Sequence, residues 1–474
     1  MDAYKNLLKE NGDFIYGVNL PWFGMSGKRF QTFGKSPFAL GEVGYNHDDV
    51  ALMLTDIAAI GFTSVRTWIF TGLGGTIMDE NGFITGLTPE FIPNLTDFLE
   101  LIKQKNLTLN PILMPHIIQS VPLILDNASQ NFEIQAKAMR VMKDSDVRNS
   151  FVQNALLPTL NLIKKYKDII PCIDLYCEPE GDSFENTGKF DIDRYPGRVE
   201  KLSELTDFIK AESKAVKSVM PDMKCLVSSS YGQNYLKFNT YTDYGIDILG
   251  LDVYNNDGTS EIPDSRITPE VRKAFSDIWV TECNYSHRKA DIEEIAQWKE
   301  EQYADVILNF YEKAKKAGYK ACYMWHYAGS NDVKTSLTMN DREADYSAVR
   351  LSGQLLHYNI LDWNRKIGRI SDEDCPEILV NLDKTCIRWF ASRQAVGYEV
   401  QYKNEDGIWN VLENIASGDE NYIFRDNKYS YFKDNYEMLY EYKLNKKYEI
   451  GNYPIRIVAF LDNERTRYTV SKVI

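Results

Sequence analysis

Between residue 13 and about residue 327, short apolar runs alternate with amphipathic helical stretches, eight times over. The runs fall at 14–20, 62–70, 107–114, 169–176, 224–229, 246–253, 278–281 and 319–327. The helical stretches fall at 48–60, 88–105, 146–167, 199–219 and 292–317. In the first of these, Val50, Leu52, Met53, Ile57 and Ile60 form an apolar stripe that Gly61 stops. Thr88-Pro89-Glu90 reads as the cap of the second, and Gly318 as the stop of the last. Residues 119–146 fit neither period and read as an insertion with a helical part.

Apolar runs without polar alternation suit strands covered on both faces, and strands joined through helices run parallel. Eight strand-helix units over roughly 350 residues fit a (β/α)8 TIM barrel with loop insertions. An open doubly wound sheet would carry a glycine-rich phosphate turn opening directly into a helix. Gly72-Leu73-Gly74-Gly75 follows the second run, but no helix opens behind it.

In such a barrel, function sits where strands end. Two apolar runs end in acidic turns: Ile173-Asp174-Leu175-Tyr176-Cys177-Glu178-Pro179-Glu180-Gly181 and Asp277-Ile278-Trp279-Val280-Thr281-Glu282-Cys283-Asn284. The other strand ends carry Trp22, Arg66, Trp68, His116, Tyr254, Trp325 and His326. A pair of carboxyls suits glycoside hydrolysis, one protonating the leaving oxygen while the other attacks the anomeric carbon or activates water. Tryptophan faces suit the apolar side of a pyranose, and a cation such as Arg66 favours the ionised form of a nearby carboxyl.

This ordered series resembles glycoside hydrolase clan A, which includes the family 5 cellulases and mannanases. Cys177-Glu178-Pro179 falls where the clan has its Asn-Glu-Pro acid/base motif, and Val280-Thr281-Glu282 where it has the Thr-Glu nucleophile. The resemblance implies a retaining enzyme cleaving β-linked gluco- or manno-configured oligo- or polysaccharides. Glu282 is then the nucleophile and Glu178 the acid/base. Arg66, His116 and Tyr254 match the clan's second-, third- and sixth-strand residues, and Trp325 the tryptophan under the reacting sugar. Trp22, Trp68 and His326 are further expected sugar contacts. No metal or organic cofactor is implied.

Cys177 is the departure, standing where the clan's asparagine contacts the sugar 2-hydroxyl. A thiol is a weak donor and a weaker acceptor. Three consequences stay open: altered recognition at the 2-position, slow turnover, or a carbohydrate-binding protein on an inactive barrel. Other readings also stand beside the functional ones. Glu180 is an alternative acid, His116 and His326 suit a satisfied core edge, Arg66 suits a barrel-closing ion pair, and the tryptophans suit packing. A lyase or aldolase would want a strand-end lysine or a metal cluster, which the strand ends lack.

Beyond about residue 370 the rhythm changes to short strand-like segments at 378–382, 385–390, 397–403, 408–412, 422–425, 454–460 and 468–473, most of them bounded by turn signals. Their spacing predicts a small antiparallel sandwich. Residues 397–403 with Trp409, and Tyr453-Pro454-Ile455-Arg456, resemble the middle and penultimate strands of a fibronectin type III module. The expected domains are therefore 1–368 and 369–474.

Composition excludes other classes. Hydrophobic residues at 44% and charged residues at 26% are ordinary for a globular chain. A net charge of −14 without a basic stripe disfavours a nucleic-acid partner. The 7 cysteines are odd in number and lack paired spacing, so neither a disulfide framework nor a zinc site is expected. No apolar run approaches the ~20 residues of a membrane span, and the polar start lacks the apolar run of a leader. With the cysteines, these features suit a reduced, cytoplasmic protein without membrane partners, or a secreted one whose leader has been removed.

Overall fold

The computed structural model describes residues 3–21, 23, 33–37, 45–115, 136–179, 202–230, 244–255, 262, 267, 269–275, 277–285, 300–327, 338–339, 348–349, 360, 364, 366–368, 375–380, 385–392, 394–424 and 439–474. Eight parallel strands close into a barrel. In chain order they are β1 (Ile15–Asn19), β2 (Ser64–Trp68), β5 (Thr108–Met114), β6 (Ile173–Cys177), β7 (Cys225–Ser230), β8 (Ile248–Asn255), β9 (Asp277–Tyr285) and β10 (Ala321–Met324). Around the barrel the order is β1-β10-β9-β8-β7-β6-β5-β2, so the first and last strands pair and no edge is left open. All eight expected strands are present, shifted by a few residues at their ends.

Alternation along each strand sends one set of side chains outward and the other inward. Outward residues such as Tyr16, Val18, Val65, Leu109, Leu113, Leu175, Val227 and Val280 join the core formed with the surrounding helices. Among these helices, α2 (His47–Ile60) begins where the Asn46 side chain accepts the Asp49 N–H at 3.1 Å, and ends at Gly61, whose φ of 100° is left-handed. The expected cap at Thr88 differs: α3 runs over Phe91–Gln104, so Pro89 precedes the helix instead of lying in its first turn. The long stretch expected at 146–167 is continuous but not uniform, with a π turn at Val152–Leu156 between two α segments. A hairpin of β3 (Thr76–Met78) and β4 (Ile84–Leu87), and a ribbon of β11 (Thr338–Met339) and β12 (Ala348–Val349), were not expected.

The inner face is layered. At the floor, Ile15, Leu226, Ile248, Trp279 and Ala321 pack with Tyr4 and Leu8 of a short helix, α1 (Ala3–Glu10). Tyr4 and Tyr323 both stack with Trp279, at ring centroids of 6.2 and 6.0 Å. Tyr323 fits because its β1 neighbour is Gly17, where an added Cβ would lie 2.1 Å from the ring. Above this floor the inner face turns polar, with Asn19, Arg66, Asp174, Ser228, Asp252 and Glu282. The strands are therefore apolar outward only at this level, and the inner side chains near their C-terminal ends are hydrophilic.

The C-terminal strands form two antiparallel sheets. One is β13 (Glu377–Val380), β14 (Cys386–Phe390) and β17 (Leu439–Lys443); the other has the order β16-β15-β18-β19. Its members are β15 (Gly397–Lys403), β16 (Trp409–Ala416), β18 (Ile455–Phe460) and β19 (Tyr468–Val470). Both sheets share a core in which Trp389 stacks on Tyr440 at 5.4 Å and meets Tyr398 edge-on. The strand expected at 422–425 is reduced to a single bridge from Ile423 to Tyr440, and β17 takes the place it was given. Leu52 of α2 packs against this core.

Gly17→Ala is expected to lower stability by about 1–3 kcal/mol, since overpacking forces Tyr323 out of place. Chemical denaturation checks this, and combining it with Tyr323→Leu should recover part of the loss.

Candidate active site

The site is built on Arg66. Sitting third in a five-residue strand, it points inward by alternation and is completely buried. A buried guanidinium must have its donors satisfied. Nε and Nη2 reach Asp174 Oδ2 at 3.2 and 2.8 Å, and Nη2 also reaches Ser228 Oγ at 2.8 Å. Nη1 donates to Asn19 Oδ1 and Glu282 Oε1, both at 2.8 Å. Ser228 passes its own proton to Asp174 at 2.9 Å. Asn19 in turn donates to the carbonyls of Thr281 and Met324 at 3.0 and 3.2 Å, clamping β1 to β9 and β10.

Two irregularities in strand pairing aim the acidic residues. The β6–β7 register shifts between Asp174 and Cys177, so both face inward although their spacing is odd. Leu175 and Tyr176 between them point into the helix layer. The β8–β9 register shifts between Leu251 and Asp252, so adjacent Thr281 and Glu282 both turn inward. An extra residue in a strand does this at the cost of local ladder bonds. Directly after the first shift, Glu178 has φ of 50°, a conformation that costs a residue with a Cβ about 1–3 kcal/mol. Its N–H donates to the Ser228 carbonyl at 2.9 Å, which anchors the turn.

Glu282 is 4% exposed. Its second oxygen accepts the Tyr254 hydroxyl at 2.5 Å, and Cys177 Sγ lies 3.6 Å from its first. Burial raises the Glu282 pKa, Arg66 opposes the rise, and the charge of Glu178 adds to it, while Tyr254 holds it down. Asp174 is pushed up to about 6 by burial against the pull of Arg66 and Ser228. Burial works against the charge on Arg66, but the carboxylates of Asp174 and Glu282 outweigh it and keep the guanidinium protonated. Burial and the Glu282 charge push the Cys177 thiol well up, which leaves it a neutral donor and not a nucleophile.

Aromatic rings line one side. Trp68 and Trp325 lie 5.8 Å apart with a 38° tilt, and with Ile112 and Cys177 they form a small apolar patch beside the carboxyls. The Asn284 amide holds the Trp325 carbonyl, and the Trp325-His326 peptide is cis. His326 is buried and meets Trp325 edge-on. Glu178 is half-buried, at the rim.

The structure thus brings together Arg66, Cys177, Glu178, Tyr254 and Glu282, with Trp68, Trp325 and His326 alongside. Trp22, His116 and Glu180 lie outside the described residues. Asn19, Asp174, Ser228, Asp252 and Thr281 were not picked out from sequence. For Asp174 a signal existed, a charged residue inside an otherwise apolar run, as it did for Asp252. Cys177, Asp252 and Glu282 place donor atoms within 4.8 Å of one another, the one such group among the described residues. The Arg66 guanidinium already supplies positive charge there. Among the described residues no helix is long and apolar enough to cross a membrane.

A closed parallel barrel with paired glutamates and aromatic faces at its C-terminal mouth defines an architecture shared by many enzymes. No protein-family model matches the chain. A 171-residue stretch is 25% identical to a mannan endo-1,4-β-mannosidase of Cryptopygus antarcticus, covering 35% of this chain and 38% of that enzyme. The fold matches the crystal structure of an endo-1,4-β-mannanase from Eisenia fetida with a TM-score of 0.51 at 17% identity, over 73% of this chain and 90% of that one. A β-mannanase from the blue mussel Mytilus edulis has a TM-score of 0.49 at 17% identity, over 70% and 94% of the two chains.

Arg66→Met should destabilise the protein by about 3–5 kcal/mol, because it strands two buried carboxylates. Denaturant unfolding at neutral pH measures this, and a loss below ~1 kcal/mol would contradict the buried pairing.

Proposed function

We propose that this protein is a retaining β-glycoside hydrolase acting on β-linked manno- or gluco-configured oligo- or polysaccharides. The observation that carries the proposal is the setting of Glu282. It is a buried carboxyl whose two oxygens are held by Arg66 and Tyr254, with Glu178 near enough for its charge to be felt. The 171-residue similarity to a mannan endo-1,4-β-mannosidase supports the manno configuration.

In this reading Glu282 attacks the anomeric carbon while Glu178 protonates the leaving oxygen, forming a glycosyl ester on Glu282. Glu178, now ionised, takes a proton from water, which releases the sugar with its configuration retained. Partial exposure suits Glu178 to exchange protons with leaving group and water. Full burial and two fixed hydrogen bonds suit Glu282 to keep one orientation. Trp68 and Trp325 offer flat faces to the ring, and Trp22, His116 and His326 belong to the same proposed sugar site. The steps require no metal or organic cofactor.

Residues 1–368 would form the catalytic domain and residues 369–474 a fibronectin type III-like module, a reading that the three- and four-stranded sheets support. Cys177 favours a second reading, a catalytically weak carbohydrate-binding protein on the same barrel. Oligosaccharide that binds but stays intact on long incubation would support that reading instead.

Glu282→Ala should lower turnover of an aryl β-glycoside by roughly four orders of magnitude or more. Added azide should then give a glycosyl azide of inverted configuration, seen by NMR. Near-normal activity in this variant would end the assignment. The acidic limb of kcat/KM should lie above that of an ordinary glutamate, since Glu282 must be ionised to attack and burial raises its pKa. Tyr254→Phe removes a hydrogen bond that lowers this pKa. The limb should therefore move to higher pH, with kcat/KM down by about tenfold, as a pH-rate profile will show.

A further inference from the structure

Asp252 lies beside the nucleophile and is 2% exposed. Its Oδ1 accepts the Thr281 hydroxyl at 2.7 Å. Among the described residues, Oδ2 has no partner except the Cys177 thiol at 3.9 Å, near the limit even for sulfur. A buried carboxyl oxygen with so weak a partner is costly unless something else satisfies it. Burial and the Glu282 charge raise the Asp252 pKa well above the usual carboxylate range, which favours its protonated form. A protonated carboxyl both donates and accepts hydrogen bonds.

The two oxygens of Glu282 face different company. Oε2 accepts a hydrogen bond from the Tyr254 hydroxyl, whose oxygen lone pairs point away from that bond. Oε1 faces Arg66 and Cys177, and an Asp252 carboxylate oxygen lies within 4.8 Å of both the thiol and Glu282. The anomeric carbon under attack has two ring neighbours, the ring oxygen and C2. The ring oxygen has no proton to give and gains positive charge as the oxocarbenium ion develops. Lone pairs such as those of Tyr254 suit it. A hydroxyl on C2 gives and takes hydrogen bonds, and among the described residues the Cys177/Asp252 side offers both.

We infer that Asp252 Oδ2 is the specificity-determining contact for the 2-hydroxyl of the sugar held at Glu282, with Cys177 leaving it room to reach that group. This rests on the hydrolase reading. Thr281 fixes the rotation of the carboxyl through Oδ1, so that Oδ2 is presented to the ligand. The acidic group on the sixth strand then compensates for the weak thiol on the fourth.

The test crosses enzyme variants with two substrates: the 4-nitrophenyl β-glycoside that wild type cleaves, and its 2-deoxy counterpart. Removing the 2-hydroxyl from a glucoside or a mannoside gives the same compound, so one probe serves either configuration. Asp252→Ala should lower kcat/KM on the 2-hydroxy substrate by roughly tenfold or more but on the 2-deoxy substrate by less than about threefold. Asp252→Asn, which keeps a donor and an acceptor in place, should retain most of the preference. Equal losses on both substrates would overturn the inference, because a residue that only supports the fold cannot sense the missing hydroxyl. If Asp252→Ala does not fold, Asp252→Ser is read in the same way. Failure of wild type on every glycoside would defeat the hydrolase reading, whereas equal losses defeat only the role of Asp252.

Discussion

One buried cation organises the mouth of this barrel. Arg66 reaches carboxylates on β6 and β9, a hydroxyl on β7 and an amide on β1. Taking a guanidinium and two carboxylates out of water costs several kcal/mol per ion, and their attraction offsets this only when every donor is used. Its five N–H donors all find partners, at 2.8 to 3.2 Å, so the geometry meets that condition. The same group that ties the strands together also opposes the rise in the Glu282 pKa that burial causes. Structural support and control of the Glu282 charge are therefore one interaction.

Around that cation, precision comes from irregular backbone. A regular strand presents every second residue to the interior, which would turn either Asp174 or Cys177, and either Thr281 or Glu282, away from the pocket. The register shifts in β6 and β9 remove that conflict. They let the barrel keep its apolar outer face while crowding polar groups inward. Glu178 then occupies a left-handed conformation that the carbonyl of Ser228 helps to hold.

The barrel was legible because helix and strand periods alternate, and the outward face of each strand carries the branched and aromatic residues that mark it. The glutamates were legible as the polar ends of apolar runs. What escaped was pairing. Asp174 and Asp252 stand in plain view inside their runs, but a lone charge in a strand gives no hint of the partner 108 residues away that accounts for it. Bulges leave no local mark either, since each depends on the neighbouring strand. In the C-terminal sheets Leu439–Lys443 was overlooked because its interleaved tyrosines and charges make no apolar run, whereas Ile423 only bridges to Tyr440 within it.

The floor of the barrel bears on how the chain assembles. Tyr4 donates to Asp277 at 2.6 Å and accepts from the Trp279 indole at 3.3 Å, contacts that span 273 and 275 residues. The helix ahead of β1 is thus a stopper whose seat is made only after most of the barrel has been synthesised. Until β9 arrives, Tyr4 lacks both its hydrogen-bond partners and the Trp279 ring it stacks on. Closing so long a loop carries an entropic cost that no local contact repays. Sealing of the floor therefore belongs to the end of folding, and the N-terminal helix reports when the ring is complete.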